Sequence, residues 1–272
     1  MSTAAGQPVG TRGRLRVRKW TKGQGFRQVM DELALEEPLE IQVESRSVSV
    51  TMRTPGHDED LAAGFLLTEG ILKRPTDITA IRPHPRNAQR NVVNVFLQPN
   101  VIVDYKTLTR HVFVSSSCGL CGKASIDAVF QQFPRLRKGI PIDPEVWLSL
   151  PKQMAKQQET FARTGGLHGA ALFDLSGKLL VLREDVGRHN AVDKVIGHAL
   201  RHDWLPLSQA ILLVSGRASF EIMQKALAAG IPAVGAVSAP SSLAVAFARR
   251  SGQSLVGFLR EDRFNLYSGQ KK

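Results

Sequence analysis

Two cysteines, Cys118 and Cys121, are the residues whose type and spacing most directly indicate chemistry in this sequence. They are the only cysteines among 272 residues, they lie three positions apart, and serines and glycines flank them. An apolar run at 112–114 precedes the pair and a predicted helix at 124–133 follows it. We therefore expect the pair at a helix N-terminus, where the helix dipole and Lys123 favour a thiolate. A thiolate, or the persulfide it can carry, is the nucleophile of sulfur and disulfide exchange.

Two other kinds of site use the same cysteine spacing. A thioredoxin-like dithiol is disfavoured because much of the chain precedes the pair and no tryptophan flanks it. A zinc deaminase pattern would combine the His-x-Glu at His57 and Glu59 with the two cysteines. That pattern expects a proline before the first cysteine, where this chain has Ser117, and the separation from Glu59 is long. Two thiols this close cannot form a disulfide framework for so large a chain.

Three further polar residues stand where ligands of α/β proteins are commonly bound. His168 precedes a predicted strand, Arg188 opens a predicted helix, and Arg217 follows the most apolar strand. Ligands of open α/β sheets lie at the carboxyl ends of strands, and a helix N-terminus with an arginine suits a phosphate. The alternative is structural: His168 would be a turn residue, and Arg188 would pair with Asp185 while Asn190 caps the helix.

Two polar pairs in the same part of the chain carry structural predictions. Asp193 and Lys194 are expected to form an ion pair on the surface. Ser241 or Ser242 is expected to cap the helix that follows it.

The pattern of apolar residues predicts an α/β fold. From residue 170 onward, strands alternate with helices of about ten residues, which indicates a mixed or mainly parallel sheet between helices. The predicted strands are 15–19, 40–44, 48–53, 91–97, 112–114, 170–175, 179–182, 210–214, 233–237 and 255–259. The predicted helices are 58–72 with Asp58 as its cap, 124–133, 145–163 broken at Pro151, 191–202, 220–229 and 242–250.

The same pattern divides the chain into three parts. Residues 1–13 are expected to be a disordered tail flanked by basic residues, 14–108 a smaller β-rich N-terminal subdomain, and 109–268 the α/β domain. The boundary is expected between Val103 and Val112.

The net charge of +12 is concentrated near the start of the chain, where seven basic residues precede Asp31. Such an arm either attracts a polyanion or is simply solvated. Nucleic acid is not expected as the main partner, since aromatic residues make up only 6% of the chain and no nucleic-acid motif is present. No apolar run could span a bilayer and no secretory signal is present, so we expect a cytoplasmic protein without a membrane partner.

Several ordered motifs resemble the formate dehydrogenase accessory sulfurtransferase family (FdhD). The resemblance runs from about Thr54 to Tyr267. The motifs are TPG at 54–56, LAAGFLLTEGI at 61–71, SSCGLCGK at 116–123, GLHGAA at 166–171, EDVGRHNAVDK at 184–194, SGRAS at 215–219, GIP at 230–232, SAP at 238–240 and GFLREDRFN at 257–265.

This resemblance implies a fold and a function. The fold would be a cytidine-deaminase-like mixed sheet between helices, without zinc or another metal of its own. The activity would be sulfur transfer: sulfur from a cysteine desulfurase is held as a cysteine persulfide and passed to the molybdenum bis(molybdopterin guanine dinucleotide) cofactor of formate dehydrogenase. Cys118 would carry the persulfide and Cys121 would assist or act as a second acceptor. A homodimer is also implied.

The resemblance also assigns a binding segment for the guanine dinucleotide pterin cofactor. It comprises Phe258, Leu259, Arg260, Glu261, Asp262 and Arg263. The two arginines suit diphosphates, because guanidinium groups bind phosphate oxygens in pairs. The acidic residues are less suited to an anion, although one of them could bind the guanine edge. The alternative function is a cofactor-binding chaperone without sulfur chemistry, and a zinc hydrolase is the third reading.

Overall fold

The computed structural model describes residues 10–83, 91–103, 105, 127, 129–130, 132–136 and 140–269. Cys118 and Cys121, the predicted strand at 112–114 and half of the predicted helix at 124–133 lie outside the described residues. The proposed domain boundary falls largely outside them as well, so the division at 108 stays a prediction.

The described chain begins with an antiparallel hairpin. Strand β1 (Arg12–Thr21) pairs along its whole length with β2 (Gly25–Ala34), and the two strands form a sheet of their own. The alternation of apolar residues predicted only part of β1. Arg12 and Gly13, expected in the disordered tail, belong to this strand. Sequence analysis missed β2, whose apolar residues do not alternate regularly with polar ones.

A four-stranded sheet follows, with strand order β4-β3-β6-β5. Its strands are β3 (Glu37–Val43), β4 (Arg46–Arg53), β5 (Ile78–Pro83) and β6 (Val92–Leu97). The predicted hairpin of β3 and β4 is present and turns at Glu44 and Ser45. Both residues have positive φ angles, as a tight hairpin turn requires. The Ser45 backbone N–H donates to Oδ1 of Asn94 at 3.1 Å, which fixes the turn against β6.

The second half of the chain builds a six-stranded mixed sheet with the order β12-β11-β10-β9-β7-β8. Its strands are β7 (His168–Asp174), β8 (Leu179–Asp185), β9 (Ala210–Val214), β10 (Ala233–Ala236), β11 (Ser254–Gly257) and β12 (Asn265–Ser268). Strands β9, β10 and β11 are parallel, whereas β7, β8 and β12 join antiparallel. The predicted mixed α/β architecture is confirmed.

Helices cover both faces of this sheet, because its strands are apolar on both faces. Within the described residues the helices are α1 (Asp58–Thr68), α2 (Pro144–Gln157), α3 (Glu159–Thr164), α4 (Arg188–Arg201), α5 (Phe220–Ala228) and α6 (Ser242–Ser251). Leu172, Leu212 and Val234 belong to the core shared with α1, α4, α5 and α6. Phe173 and Leu213, on the other face, pack with α2. None of the described helices is long and apolar enough to cross a bilayer.

Two predictions about helix ends were wrong. Helix α2 continues through Pro151 and ends at Gln157, because Trp147, Leu150 and Met154 hold one face of it in the core. Asp58 does not cap α1. The cap position is His57, which makes no side-chain cap bond, and the Asp58 carboxylate instead accepts two hydrogen bonds from Arg53. Ser241 caps α6 as expected, accepting from the Ala244 N–H.

Helices α1 and α4 cross at two glycines. A Cβ placed on Gly64 would lie 1.9 Å from the carbonyl oxygen of Asp193, and one on Gly197 would lie 1.8 Å from that of Asp60. The obstructing atoms belong to backbone and cannot rotate away. Only glycine at both positions allows this approach.

Replacing Gly197 by alanine should therefore destabilise the protein. Alanine favours helix by up to about 1 kcal/mol over glycine, but forcing apart two packed backbones typically costs about 1–3 kcal/mol or more. We expect a lower urea midpoint for Gly197→Ala. Gly10→Ala, where the nearest obstructing atom is 3.6 Å away, is the control. An unchanged midpoint for Gly197→Ala would contradict the close crossing.

Candidate functional site

The register of the six-stranded sheet brings the ends of several strands to one edge. His168, at the start of β7, pairs with Asp185 at the end of β8, and Ala170 pairs with Val214 at the end of β9. The ends of β10 and β11 continue the same edge. We call this the site edge. It is the edge at which the carboxyl ends of the parallel strands lie, where α/β sheets bind ligands.

His168 and Arg188 both lie beside Gly216 at this edge. A Cβ on Gly216 would lie 3.3 Å from Nδ1 of His168 and 3.8 Å from Cδ of Arg188. The Gly169 N–H, next to His168, donates to the hydroxyl of Ser215 at 2.9 Å. Even a methyl group at Gly216 would crowd the imidazole, so the glycine lets the backbone approach His168 closely.

Burial lowers the pKa of His168, and the charges of Arg188 and His189 lower it further. His168 is consequently neutral at neutral pH. Its position among cations means that a bound anion would be needed to favour the imidazolium.

Arg188 and Arg217 are cations at the site edge without carboxylate partners among the residues that the structure describes. The Nε atom of Arg188 is buried and has no hydrogen-bond partner there. Arg217 is exposed. The alternative pairing of Arg188 with Asp185 does not occur, since that carboxylate is bound by other groups. Two unpaired guanidinium groups beside a neutral histidine form a site suited to an anion.

Asp185 and Lys194 form a buried ion pair beneath this site. The Lys194 ammonium lies 2.7 Å from Oδ2 of Asp185, and both side chains are at most 1% exposed. Lys194 also donates to the carbonyl of Thr54 at 2.8 Å. The other carboxylate oxygen accepts from the Gly187 N–H at 2.8 Å and from the amide of Asn190 at 3.0 Å. The pair thus fixes the backbone that presents Arg188.

The predicted surface pair of Asp193 and Lys194 is wrong. Adjacent residues of a helix point in different directions, so they do not meet. Asp193 is 3% exposed and Lys194 1% exposed. Asp193 binds Lys225 at 2.8 Å and accepts from the Thr68 hydroxyl at 2.9 Å. Burial alone would lower the pKa of Lys225, but Asp193 outweighs this effect and raises it.

A third polar contact lies at the start of α5. His189 Nε2 is 2.8 Å from a carboxylate oxygen of Glu221 and 3.2 Å from the hydroxyl of Ser219. The hydrogen bond with His189 lowers the pKa of Glu221. The sequence had suggested other partners for Asp185, Asp193 and Lys194. It gave no signal for Lys225 or Glu221, which are both 32 residues from their partners.

The segment 258–263 continues the site edge beyond β11. Phe258 has a φ angle of 53° and its side chain is 44% exposed. Its N–H donates to the carbonyl of Ser238 at 3.1 Å. Leu259 is fully buried, so its side chain anchors the segment in the core and does not face a ligand. The left-handed backbone at Phe258 turns that ring outward.

An open cleft of about 350 Å³ lies at this segment, lined by Phe258, Arg260, Arg263 and Asn265. Arg260 donates to the carbonyl of Leu259 at 2.9 Å, and Arg263 contacts Asp262 at 3.0 Å. The contact of Arg263 with Asp262 is exposed and can be exchanged for a ligand at little cost, whereas the bond from Arg260 to Leu259 is partly buried. Glu261 is exposed and lies 4.0 Å from Lys152, on the rim of the turn.

The site edge therefore has two parts. His168 is on β7, and the cleft follows β11, three strands along. Three strand spacings of about 4.8 Å separate them by roughly 14 Å. That distance suits an extended ligand with an anionic end and a ring end better than a single phosphate.

His57, the histidine of the zinc reading, lies apart from these groups. Its Nδ1 is 3.7 Å from Asp60, whose carboxylate is bound by Arg183 and Arg201. Burial alone would raise the pKa of Asp60, but the hydrogen bonds from Arg201 and Arg183 lower it. In the described residues no group of three or more His, Cys, Asp and Glu side chains is placed to hold a metal. The cysteines themselves lie outside that range.

Replacing Lys194 by methionine should destabilise the protein strongly. Removing one partner of a buried ion pair leaves an unpaired charge and typically costs about 3–5 kcal/mol. We expect this loss of unfolding free energy in urea titrations at pH 7. The exposed Lys156→Met, with the same change of side chain, should stay within about 0.5 kcal/mol of the parent. Equal unfolding free energies for Lys194→Met and Lys156→Met would contradict the buried pair. The double variant Asp185→Asn with Lys194→Met should recover part of the lost unfolding free energy, because it leaves no unpaired buried charge.

Comparisons with known proteins agree with this architecture. A sequence model described as the FdhD/NarQ family matches residues 34–272. "Sulfur carrier protein FdhD" of Streptomyces avermitilis is 50% identical over 254 residues, covering 89% of each chain. The protein of the same name from Mycobacterium tuberculosis is 50% identical, covering 88% of this chain and 90% of its own length.

The fold has a solved counterpart. A crystal structure of a formate dehydrogenase accessory protein from Desulfotalea psychrophila superposes with a TM-score of 0.76 at 25% sequence identity. The match covers 96% of this chain and 98% of that one. With a family match over most of its length and close relatives at half identity, the chain belongs to the FdhD/NarQ family.

Proposed function

We propose that this protein is a sulfur carrier for formate dehydrogenase. In this proposal Cys118 takes sulfur from a cysteine desulfurase as a persulfide, and the site edge holds the guanine dinucleotide end of the molybdenum cofactor that receives it. The sulfur-carrier role is supported by the relatives named above and by the accessory-protein structure that shares the fold. The observation that carries it is the half identity to sulfur carrier proteins over almost the whole chain.

The sulfur chemistry proposed for the cysteine pair balances without an external oxidant. The Cys118 thiolate attacks the terminal sulfur of a desulfurase persulfide, which forms Cys118–S–S⁻ and releases the desulfurase thiolate. Release of that terminal sulfur as hydrosulfide needs two electrons. The thiol of Cys121 supplies them by attacking the inner sulfur, and its proton leaves with the hydrosulfide, so that a Cys118–Cys121 disulfide remains. Other thiols of the cell can then reduce this disulfide.

The described residues fit the proposed cofactor as a bound substrate. The buried Nε of Arg188, beside Gly216, is a donor without a hydrogen-bond partner among the described residues. The cleft lined by Phe258, Arg260 and Arg263 offers an aromatic ring and two guanidinium groups at the other end of the edge. Diphosphate oxygens suit the arginines, and the guanine ring suits the exposed phenyl ring.

Three finer points belong to the same proposal. The desulfurase and the dehydrogenase are both expected as transient protein partners, and the chain is expected to act as a homodimer. A reactive thiol pair requires a reducing compartment, so we propose a cytoplasmic location. Glu261 and Asp262 are assigned to the rim of the cleft, where one of them can accept from the guanine edge.

Incubation with a cysteine desulfurase and cysteine should add one sulfur atom to the protein, as measured by intact-mass spectrometry. Cys118→Ser should lose this gain, because it removes the attacking thiolate. Cys121→Ser should keep the added sulfur and release less hydrosulfide, since its thiol supplies the electrons. Both variants should retain parental unfolding midpoints.

The same measurement separates the alternative of a cofactor-binding chaperone without sulfur chemistry. A chaperone would bind guanosine diphosphate and would show no gain of sulfur in the parent protein. A mass gain that persists in Cys118→Ser and disappears in Cys121→Ser would reverse the proposed roles of the two cysteines.

Binding of guanosine diphosphate should tighten as the pH falls below about 6.5. The free protein holds the pKa of His168 below its ordinary value of 6.5. A bound diphosphate favours the imidazolium and raises that pKa, so binding takes up a proton between the two pKa values. Affinity then increases by up to about tenfold per pH unit in that window.

His168→Gln is the matched variant for this titration. In this variant the affinity should keep the pH dependence that comes from the nucleotide's own phosphate. It should lose the part that comes from proton uptake by His168, as measured by calorimetry from pH 5.5 to 8. Identical pH profiles in the parent and in His168→Gln would remove His168 from the binding site.

A further inference from the structure

We propose that one face of the N-terminal hairpin is a docking surface for an acidic protein. The family match begins at residue 34, so the hairpin precedes the matched region. From Arg12 to Ala34 it carries seven cationic and two acidic side chains, a net charge of +5. This proposal is independent of the sulfur chemistry above.

Most residues of the hairpin are exposed. Each of its strands has ten residues, a length of about 33 Å. Its base is held near α3, where the hydroxyls of Thr11 and Thr160 lie 3.2 Å apart and the Leu35 N–H donates to the Thr11 carbonyl at 2.9 Å. Both strands pair only with each other in the described structure. An isolated two-stranded hairpin is only marginally stable in water, so covering one of its faces would stabilise it.

Cross-strand pairing gives the hairpin two different faces. Residues that pair directly lie on the same face, and the faces alternate along each strand. One face, named here the Arg16 face, carries Arg12, Arg14, Arg16, Arg18, Trp20, Phe26, Gln28, Met30, Glu32 and Ala34. The other, named the Lys19 face, carries Gly13, Leu15, Val17, Lys19, Thr21, Gly25, Arg27, Val29, Asp31 and Leu33.

The Arg16 face joins cations to large exposed apolar side chains. Trp20, Phe26 and Met30 are 58%, 62% and 61% exposed. The Lys19 face also exposes apolar side chains, but they are the smaller Leu15, Val29 and Leu33, at 54%, 36% and 44%. The Arg16 face carries the two aromatic rings and the methionine, and exposed apolar groups of that size mark interaction surfaces. Tryptophan, methionine and arginine are also the residues enriched at protein–protein contacts.

The four arginines of this face are not equivalent. Arg12 and Arg14 are both held by Glu32, at 2.7 and 3.2 Å. Arg18 lies over the Phe26 ring, 4.8 Å from its centroid. Arg16 has no ion-pair partner among the described residues. Two cations, Arg16 and Arg18, therefore remain for a partner's carboxylates, directly beside the apolar side chains.

This arrangement favours an acidic protein over a nucleic acid or a second copy of the chain. A nucleic-acid backbone needs a continuous positive track, and Glu32 interrupts this one. A second copy would bring the same cationic face against itself, and like charges at an interface are costly. A protein surface with a few carboxylates around an apolar patch meets both features of the face.

The test compares the two faces of the same hairpin. The probe is a fluorescent peptide of about ten residues, enough to extend along one strand, in which glutamate alternates with leucine. Arg16→Glu with Arg18→Glu changes the Arg16 face, and Lys19→Glu with Arg27→Glu makes the same charge change on the Lys19 face. Trp20→Ala tests the apolar contribution without a change of charge. Fluorescence anisotropy with the full-length chain measures each affinity.

The Arg16-face reversal should weaken peptide binding about tenfold or more, Trp20→Ala should also weaken it, and the Lys19-face reversal should weaken it by less than threefold. Equal losses in the two reversals would show attraction to net charge alone and overturn the proposal. Tighter binding of a thymidine oligonucleotide than of the peptide, at matched length and charge, would also overturn the proposal and would indicate a nucleic-acid partner. Concentration-dependent dimerisation lost in the Arg16-face reversal would assign the face to a second copy instead.

Discussion

The buried pair of Asp185 and Lys194 is the interaction on which the proposed site depends. A carboxylate and an ammonium removed from water are stable only when each is paired and its remaining hydrogen bonds are made. Here those bonds go to the backbone of Thr54 and Gly187 and to the amide of Asn190. Since Asn190 also donates to the carbonyl of Met52, the same network ties the four-stranded sheet to the start of α4. One ion pair thus sets the position of Arg188 relative to two sheets.

The pair of Asp193 and Lys225 repeats this principle at the residue of α4 that directly precedes Lys194. Because Thr68 at the end of α1 donates to the same carboxylate, three helices meet at one buried charge. These pairs explain why α4 carries charged residues in its interior, where apolar residues would otherwise pack. These pairs fix the geometry of the helices and add little stability, because the attraction between two buried charges only roughly offsets the free energy of removing them from water.

Local sequence patterns predicted the parts of the fold that local interactions determine. The parallel strands β9 and β10 are short apolar runs between helices, and Ser241 marks the start of α6, so each is readable from a few residues. Strands β2, β5 and β12 were missed although each pairs with a strand adjacent in the sequence, because their apolar residues do not alternate regularly with polar ones. Helix α2 passes Pro151 because packing of Trp147 and Met154 outweighs the lost hydrogen bond. For the site, the residue types and their places beside predicted strands and helices were enough to suggest His168, Arg188 and Arg217 as candidates. The partners of Asp193 and Lys194 can be identified only from the three-dimensional structure.

The glycine crossing of α1 and α4 bears on how the two halves of the chain can move. With Gly64 and Gly197 in backbone contact, the helices have no layer of side chains that could slide or repack between them. Sliding of packed helices normally proceeds through small side-chain adjustments, and none is available here. The four-stranded and six-stranded sheets are consequently coupled as one body through these helices. Any rearrangement that accompanies the arrival of sulfur or its departure must be accommodated by surface loops, while the framework keeps its shape.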